Sequence, residues 1–197
     1  MLEPIFILLS YLLGAVPFGY IIYFLSERRD IRTEGSGNIG ATNVLRTKGK
    51  AAGLATLVLD VLKGAAPILI GSHLFDNPVI PLAGGTAAVL GHMFPVYLKF
   101  RGGKGVATTA GVILAMNPTA FALFSLVFLS VSLLTRFVSL GSLAAVMVVF
   151  FYILFFQVVE MAMLYFLIAV LVVVRHRTNL NRLVAGTENR LNLKKNG

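Results

Sequence analysis

Three polar stretches in an otherwise apolar chain carry the residue types that do chemistry. The first is "EGSGNIGATN" at residues 34–43, where Gly35, Gly37 and Gly40 fall in G-x-G-x-x-G spacing. That spacing cradles a dinucleotide pyrophosphate only when a strand precedes it and a packed helix follows. Here "FLSERRDIRTE" precedes it, the charged exit of an apolar segment. Asp60, which stands at a ribose-binding distance along the chain, lies about nine residues inside the next apolar segment. A nicotinamide or flavin site is therefore not expected. The loop keeps the physics of anion binding all the same. Glycines let backbone N–H groups approach an anion closely. Ser36, Asn38, Thr42 and Asn43 add neutral donors, and Arg46 adds a guanidinium fork suited to phosphate. Taken alone, such a loop also reads as a flexible connection.

It does not stand alone. "KFRGGKGVATT" at 99–109 sets Arg101 and Lys104 around Gly102 and Gly103. Gly105 follows Lys104 where a Walker A loop requires Ser or Thr, so this is not that motif. Thr108 and Thr109 fall on the following helix, whose N-terminal end favours a nearby anion. The third stretch, "RHRTNLNRLVAGTENR" at 175–190, holds His176, Asn179, Asn181 and Glu188. Two glycine-basic loops leave room for two phosphates, and the three segments suggest one composite anion site. His176 carries a ring that titrates near neutrality, which suits a general base. A structural hydrogen bond at a helix end is the alternative. Ser36 is a candidate nucleophile as well as a donor. Asp60 and Lys63 are i,i+3 on a helix and expected to pair, fixing helix packing. His92 is expected to support the site from behind, and His73 to be an interfacial residue on the other side of the membrane. The acyltransferase signature of His followed five residues later by Asp is absent, those positions being Pro78, Tyr97 and Asn181.

The elements that must position these residues follow from composition. Of 197 residues, 57% are hydrophobic and 13% charged, against roughly 25% charged in ordinary globular proteins. One soluble core could not hide so much apolar surface. The chain reads as an all-α integral membrane protein, a single polytopic domain over 1–197. A spanning helix needs about 20 apolar residues, and seven segments qualify as candidates: 4–25, 52–75, 79–98, 105–116, 119–134, 138–155 and 157–174. The fourth is short, crossing part of the bilayer or lying re-entrant. The first is expected to remain as a span rather than to be cleaved as a signal. Asn77-Pro78 and Asn117-Pro118 read as turns. With seven crossings, sixteen of the seventeen Lys and Arg fall on one face, and Lys63 lies within a span. Basic loops mark the cytoplasmic side, so the N-terminus is expected outside and the C-terminus in the cytoplasm. Arg28, Arg29, Lys194 and Lys195 need no role beyond topology and attraction to anionic lipid. The basic clusters lack interleaved aromatics, so nucleic acid is not an expected partner. There is no cysteine, which excludes disulfides and thiolate metal sites.

"GSGNIGATN", "FRGGKGVAT" and "HRTNLNRLVAGTE", with "DVLKG" at 60–64 and "GHMFP" at 91–95, closely resemble the bacterial acyl-phosphate:glycerol-3-phosphate acyltransferases. The resemblance runs from the first span to Glu188. It implies a multi-pass enzyme of the bacterial cytoplasmic (inner) membrane with its active site on the cytoplasmic side. The implied reaction moves a fatty acyl group from acyl phosphate to the 1-hydroxyl of glycerol 3-phosphate, the first step of phospholipid synthesis. The implied products are 1-acylglycerol 3-phosphate (lysophosphatidic acid) and phosphate. The expected partners are these two substrates and membrane lipids, and coupling to the enzyme that makes acyl phosphate is a further expectation. No metal or cofactor is required, because an acyl phosphate is already activated and positioning with charge stabilisation supplies much of the rate. The expected catalytic residues are His176, Ser36 and Asn179. Phosphates fall to Gly35, Gly37, Asn38, Thr42, Asn43, Arg46, Arg101, Gly102, Gly103, Lys104, Gly105 and Thr108, with His92, Asp60, Lys63 and Glu188 behind them. The proton of the attacking hydroxyl goes to His176 or to the phosphate of glycerol 3-phosphate itself. Residue chemistry alone leaves acyl-CoA open as donor, and an organic-phosphate transporter open as a rival class.

Overall fold

A computed structural model describes residues 2–191; Lys194 and Lys195 lie outside the described residues. The described residues are helical, with no strand among them. The helices are α1 (Leu2–Ala15), α2 (Phe18–Glu27), α3 (Ala41–Lys48), α4 (Lys50–Leu74), α5 (Val79–Met93), α6 (Val106–Met116), α7 (Pro118–Thr135), α8 (Val138–Phe156), α9 (Val159–Arg175) and α10 (Arg177–Val184). Two compact units emerge, Met1–Pro118 and Thr119–Gly197.

All seven apolar segments are helical. Leu2–Glu27, Lys50–Leu74, Val79–Leu98, Pro118–Thr135 and Val138–Phe156 are each long and apolar enough to cross a membrane. Val159–Arg175 with Arg177–Val184 adds a sixth candidate, bent by 52°. Helix α6 has 11 residues, which at 1.5 Å each is about half of the roughly 30 Å hydrocarbon core. The shortness expected of the fourth segment is thus a property of the fold. The chain is a multi-pass, all-helical membrane protein.

The first segment is broken at Val16-Pro17, because proline has no N–H to continue the ladder. Asn77 Oδ1 accepts from the Val79 N–H at 3.0 Å and opens α5, while Asn117 ends α6 in an extended conformation. Both Asn-Pro turns fall where the sequence sets them.

The first unit packs α1 on α5 and α4 on both α5 and α6. Small residues make these approaches possible. A Cβ on Gly14 would overlap the Ala88 carbonyl, and one on Gly91 the Tyr11 carbonyl. Gly64 and Gly111 play the same part between α4 and α6, against Thr108 and Val61. In lipid there is no hydrophobic force between helices, so such backbone-close packing carries the association. The second unit packs α8 on α9, around the buried Val146, Val149, Tyr165, Ile168 and Val172. Leu134, Phe155 and Phe156 stand exposed on its surface, as lipid-facing residues do.

Gly14→Val is expected to destabilise the first unit by about 1–3 kcal/mol through overpacking, visible as a lowered Tm in detergent. Leu9→Ala, on an exposed side chain, serves as the control and should leave Tm nearly unchanged. Equal Tm for both variants would contradict the close α1–α5 approach.

Candidate active site

The loop at 31–43 is not a flexible connection. Ile31, Ile39 and Val44 are buried with Tyr23 and Leu98, which anchors the loop on an apolar cluster. Asn43, 1% exposed, clasps the loop from within. Its Nδ2 donates to the carbonyls of Asn38 at 2.8 Å, Glu34 at 3.0 Å and Ile31 at 3.5 Å. Its Oδ1 accepts from the Ser36 N–H at 2.8 Å. Expected from its sequence position to donate to phosphate, Asn43 instead has its amide engaged by the loop backbone. Gly35 and Gly37 have φ of +57° and +71°, a region that L side chains rarely adopt. At Gly35 a Cβ would also strike Asn43 Oδ1. Asn38 Oδ1 accepts from the Gly40 N–H at 2.8 Å, just ahead of α3. Thr42 and Arg46 lie on α3, Thr42 half-buried and Arg46 exposed. The loop therefore holds Ser36, Gly37 and Asn38 in a fixed turn between the buried Ile31 and Ile39.

The second loop rests on a buried ionic cluster. Lys63 Nζ lies 2.8 Å from Asp60 Oδ1, both side chains almost fully enclosed. The same Nζ donates to the Val16 carbonyl at 2.8 Å, at the break between α1 and α2, and sits over the Phe18 ring. His92 Nδ1 is 3.6 Å from Asp60 Oδ1. On the other side of His92, its carbonyl accepts from the Gly103 N–H at 3.0 Å. A Cβ at Gly103 would collide with His92 Nε2, so only glycine lets the loop lie against the ring. Lys99 and Phe100 both take left-handed conformations, with φ of 52° and 62°. Two such non-glycine residues in succession store strain of the order of 1–3 kcal/mol each. The loop leads into α6 through Gly105 at φ +81°. Lys104 and Gly102 are half-buried, Arg101 exposed. Thr108 and Thr109 are fully buried, and their hydroxyls have no hydrogen-bond partner among the described residues. Thr108 packs against α4 rather than lying in the loop.

In the second unit, His176 sits at the 52° break between α9 and α10. Its Nδ1 is 2.8 Å from the Val172 carbonyl. A carbonyl only accepts, so Nδ1 carries the proton and Nε2 of the neutral ring keeps its lone pair. Asn179 is buried, and its Nδ2 donates to Glu188 Oε1 at 2.6 Å. Ser139 Oγ donates to the same oxygen at 2.8 Å, and Arg182 Nε to Oε2 at 2.9 Å. Asn179 Oδ1 is buried with no partner among the described residues. Burial pushes the Glu188 carboxyl up, but the hydrogen bonds from Arg182, Asn179 and Ser139 outweigh it and hold its pKa below the usual carboxylate value. Asn181 is exposed. Ser139 had no signal in the sequence, lying 49 residues from Glu188.

Fold and geometry together define a polytopic membrane protein with preorganised glycine-basic loops and a histidine held in one tautomer. A profile of the family "Glycerol-3-phosphate acyltransferase" matches residues 4–186. The chain is 42% identical to the glycerol-3-phosphate acyltransferase of Macrococcus caseolyticus over 189 residues, covering 96% of this chain and 97% of the relative. It is 45% identical to that of Shouchella clausii over 205 residues, covering 95% of each. Among solved structures, it superposes on a crystal structure of PlsY, an integral membrane glycerol 3-phosphate acyltransferase, in its glycerol 3-phosphate form. The TM-score is 0.93 and the identity 40%, over 98% of this chain and 96% of the other. The lysophosphatidic acid form matches with a TM-score of 0.89 at 39% identity, over 96% and 95%. This chain belongs to the glycerol-3-phosphate acyltransferase family.

Two outcomes follow. Asn43→Ala leaves the Ser36 N–H and the loop carbonyls without their clasp, at about 1–3 kcal/mol for each group left unsatisfied. Hydrogen exchange over 31–43 should accelerate; unchanged exchange would contradict the clasp. Glu188, its pKa lowered on folding, contributes stability in full above its unfolded value of about 4.3, and that stability is lost as pH falls through the lowered native value. Wild type should therefore melt above Glu188→Gln at pH 6, and the gap should close as pH is taken down towards 3.

Proposed function

We propose that this protein transfers a fatty acyl group from acyl phosphate to the 1-hydroxyl of glycerol 3-phosphate. The hydroxyl oxygen bonds to the acyl carbon, the bond from that carbon to the phosphate oxygen breaks, and inorganic phosphate leaves. The observation that carries the reading is the match to the PlsY structure in its glycerol 3-phosphate form, at 40% identity over nearly the whole chain. The lysophosphatidic acid form of that protein supports the product side.

Roles fall segment by segment. In the fixed turn, the Ser36 N–H is held by Asn43 Oδ1 and the Gly37 N–H by the Glu34 carbonyl, so the Ser36 hydroxyl and the Asn38 side-chain amide, with the Gly35 N–H, are the groups that serve a phosphate or the developing oxyanion. Arg46 and Lys104 neutralise phosphate charge, with Gly102, Gly103 and Gly105 shaping the loop that bears Lys104; Thr42 and Arg101 belong to the same two segments, and Thr108 packs behind the second against α4. His176 takes the hydroxyl proton on Nε2, the nitrogen that its bond to Val172 leaves basic. Asn179 Oδ1 is an acceptor for the substrate hydroxyl, and Glu188 orients it through Nδ2. Asp60, Lys63 and His92 act from behind the second loop. The whole chain works as one polytopic domain of the bacterial inner membrane, N-terminus outside, with these segments on the cytoplasmic face. Placed there, it takes acyl phosphate from the enzyme that makes it.

The test is formation of 1-acylglycerol 3-phosphate, with release of phosphate or CoA read alongside, by the purified protein in lipid given glycerol 3-phosphate and either palmitoyl phosphate or palmitoyl-CoA. Release that needs glycerol 3-phosphate and palmitoyl phosphate, with 1-acylglycerol 3-phosphate formed, is expected. Turnover with palmitoyl-CoA alone would overturn the donor, and silence from well-folded protein would overturn the reaction. His176→Ala should lower kcat by about 10²-fold or more with little change in binding of glycerol 3-phosphate. A pure loss of affinity would move the base to the substrate phosphate.

A further inference from the structure

A cavity of about 540 Å³ is lined by Tyr20, Arg32, Tyr97, Leu98, Lys99 and Arg101. Its volume falls in the usual range for a small-molecule site, roughly 300–1,000 Å³. The lining is cationic. Arg32 is already engaged: its Nε donates to both oxygens of Asp30 at 3.0 Å and its Nη2 to Oδ2 at 2.6 Å. The Arg32 backbone N–H caps the same carboxylate at 2.8 Å. Three lining cations against that one carboxylate leave two positive charges. A phosphate monoester carries about −1.5 to −2 at neutral pH, which matches them.

The surroundings are those of a membrane interface. Tyr20 belongs to the last turns of the first apolar segment, stacked on Phe24, and Arg32 lies over the Tyr20 ring. Val96, Tyr97 and Phe100 are 42%, 56% and 58% exposed. Aromatic residues of this kind sit at headgroup level with their apolar parts towards the acyl chains. The left-handed backbone at Lys99 and Phe100 keeps a charge that lines the cavity and an apolar ring exposed beside it. A water-soluble phosphate would have no use for the exposed apolar rim; a phospholipid would.

We propose that this cavity binds the phosphate headgroup of an anionic phospholipid, with its acyl chains against the Val96, Tyr97 and Phe100 rim. Arg32 comes from the first loop and Lys99 and Arg101 from the second, and of these only Arg101 is among the residues assigned to acyl transfer. The site does not depend on the proposed reaction.

The test places the protein in nanodiscs of phosphatidylcholine with or without phosphatidic acid, under saturating glycerol 3-phosphate. Lipid retained after release is then read by native mass spectrometry. Wild type should retain one phosphatidic acid in preference to phosphatidylcholine. Lys99→Asn keeps a residue type that tolerates the left-handed backbone and removes one charge. It should weaken retention about fivefold, the equivalent of the roughly 1 kcal/mol that one basic residue contributes near a membrane surface. Arg101→Gln, which removes the other charge left over from the Asp30–Arg32 pair on an exposed side chain, should also weaken it and carries the test should Lys99→Asn fail to fold. No preference for phosphatidic acid, or retention equal to wild type in the folded variants, would overturn the proposal. Displacement by millimolar inorganic phosphate would overturn it in favour of a water-soluble occupant.

Discussion

Two charges buried inside apolar helices hold the first unit in register. Lys63 and Asp60 face each other at 2.8 Å with almost no solvent around them. Each is tolerable there because of the other, since an ionised group in the bilayer interior is costly when alone. Removing one partner of a buried pair typically costs about 3–5 kcal/mol. The pair also reaches in both directions. Through Nζ it takes up the Val16 carbonyl at the proline break, so the discontinuity in the first segment is satisfied inside the protein. Through Asp60 it faces His92, whose backbone holds Gly103. A single chain of contacts thus joins the first segment, α4, α5 and the loop that bears Lys104.

The two glycine-basic loops reach rigidity by different means. The first is clasped from inside by one buried amide and pinned by Ile31, Ile39 and Val44. The second reaches its contact with His92 through the strained Lys99 and Phe100 and is pressed onto that ring at Gly103. Both outcomes suit the anion-binding role proposed for these loops. Donors that bind an anion in the transition state work best when they do not reorganise at that moment. In the second unit the same logic applies to the proposed base: the Val172 carbonyl fixes the ring of His176, and Glu188 fixes Asn179.

Much of this was legible in the sequence because membrane helices declare themselves by length and apolarity. The helices Lys50–Leu74, Val106–Met116 and Val138–Phe156 lie within two residues of the expected segments. The short α6 was visible for the same reason, and the Asp60–Lys63 pair followed from i,i+3 spacing. What the sequence hid was long-range partnering. Nothing in the order of residues says that Asn43 turns inward to hold four backbone groups, that Ser139 meets Glu188, or that Thr108 faces α4 rather than the loop. Ile31 and Ile39 stand singly among polar residues with no periodicity to mark them, and they anchor the loop. The cavity at Arg32 and Lys99 was equally hidden, since those cations read as topology signals until the fold set them beside Tyr20 and Tyr97.

The dependence of the second loop on the buried pair is the claim most exposed to test. Hydrogen exchange in lipid nanodiscs, comparing wild type with Asp60→Asn, reads it directly. Exchange across 99–105, including the Gly103 amide bonded to His92, should accelerate at least tenfold in the variant. Exchange in α8 and α9, which belong to the second unit, should not change. Protection at 99–105 equal to wild type in folded Asp60→Asn protein would show that the loop stands without the ionic cluster, and would contradict the account.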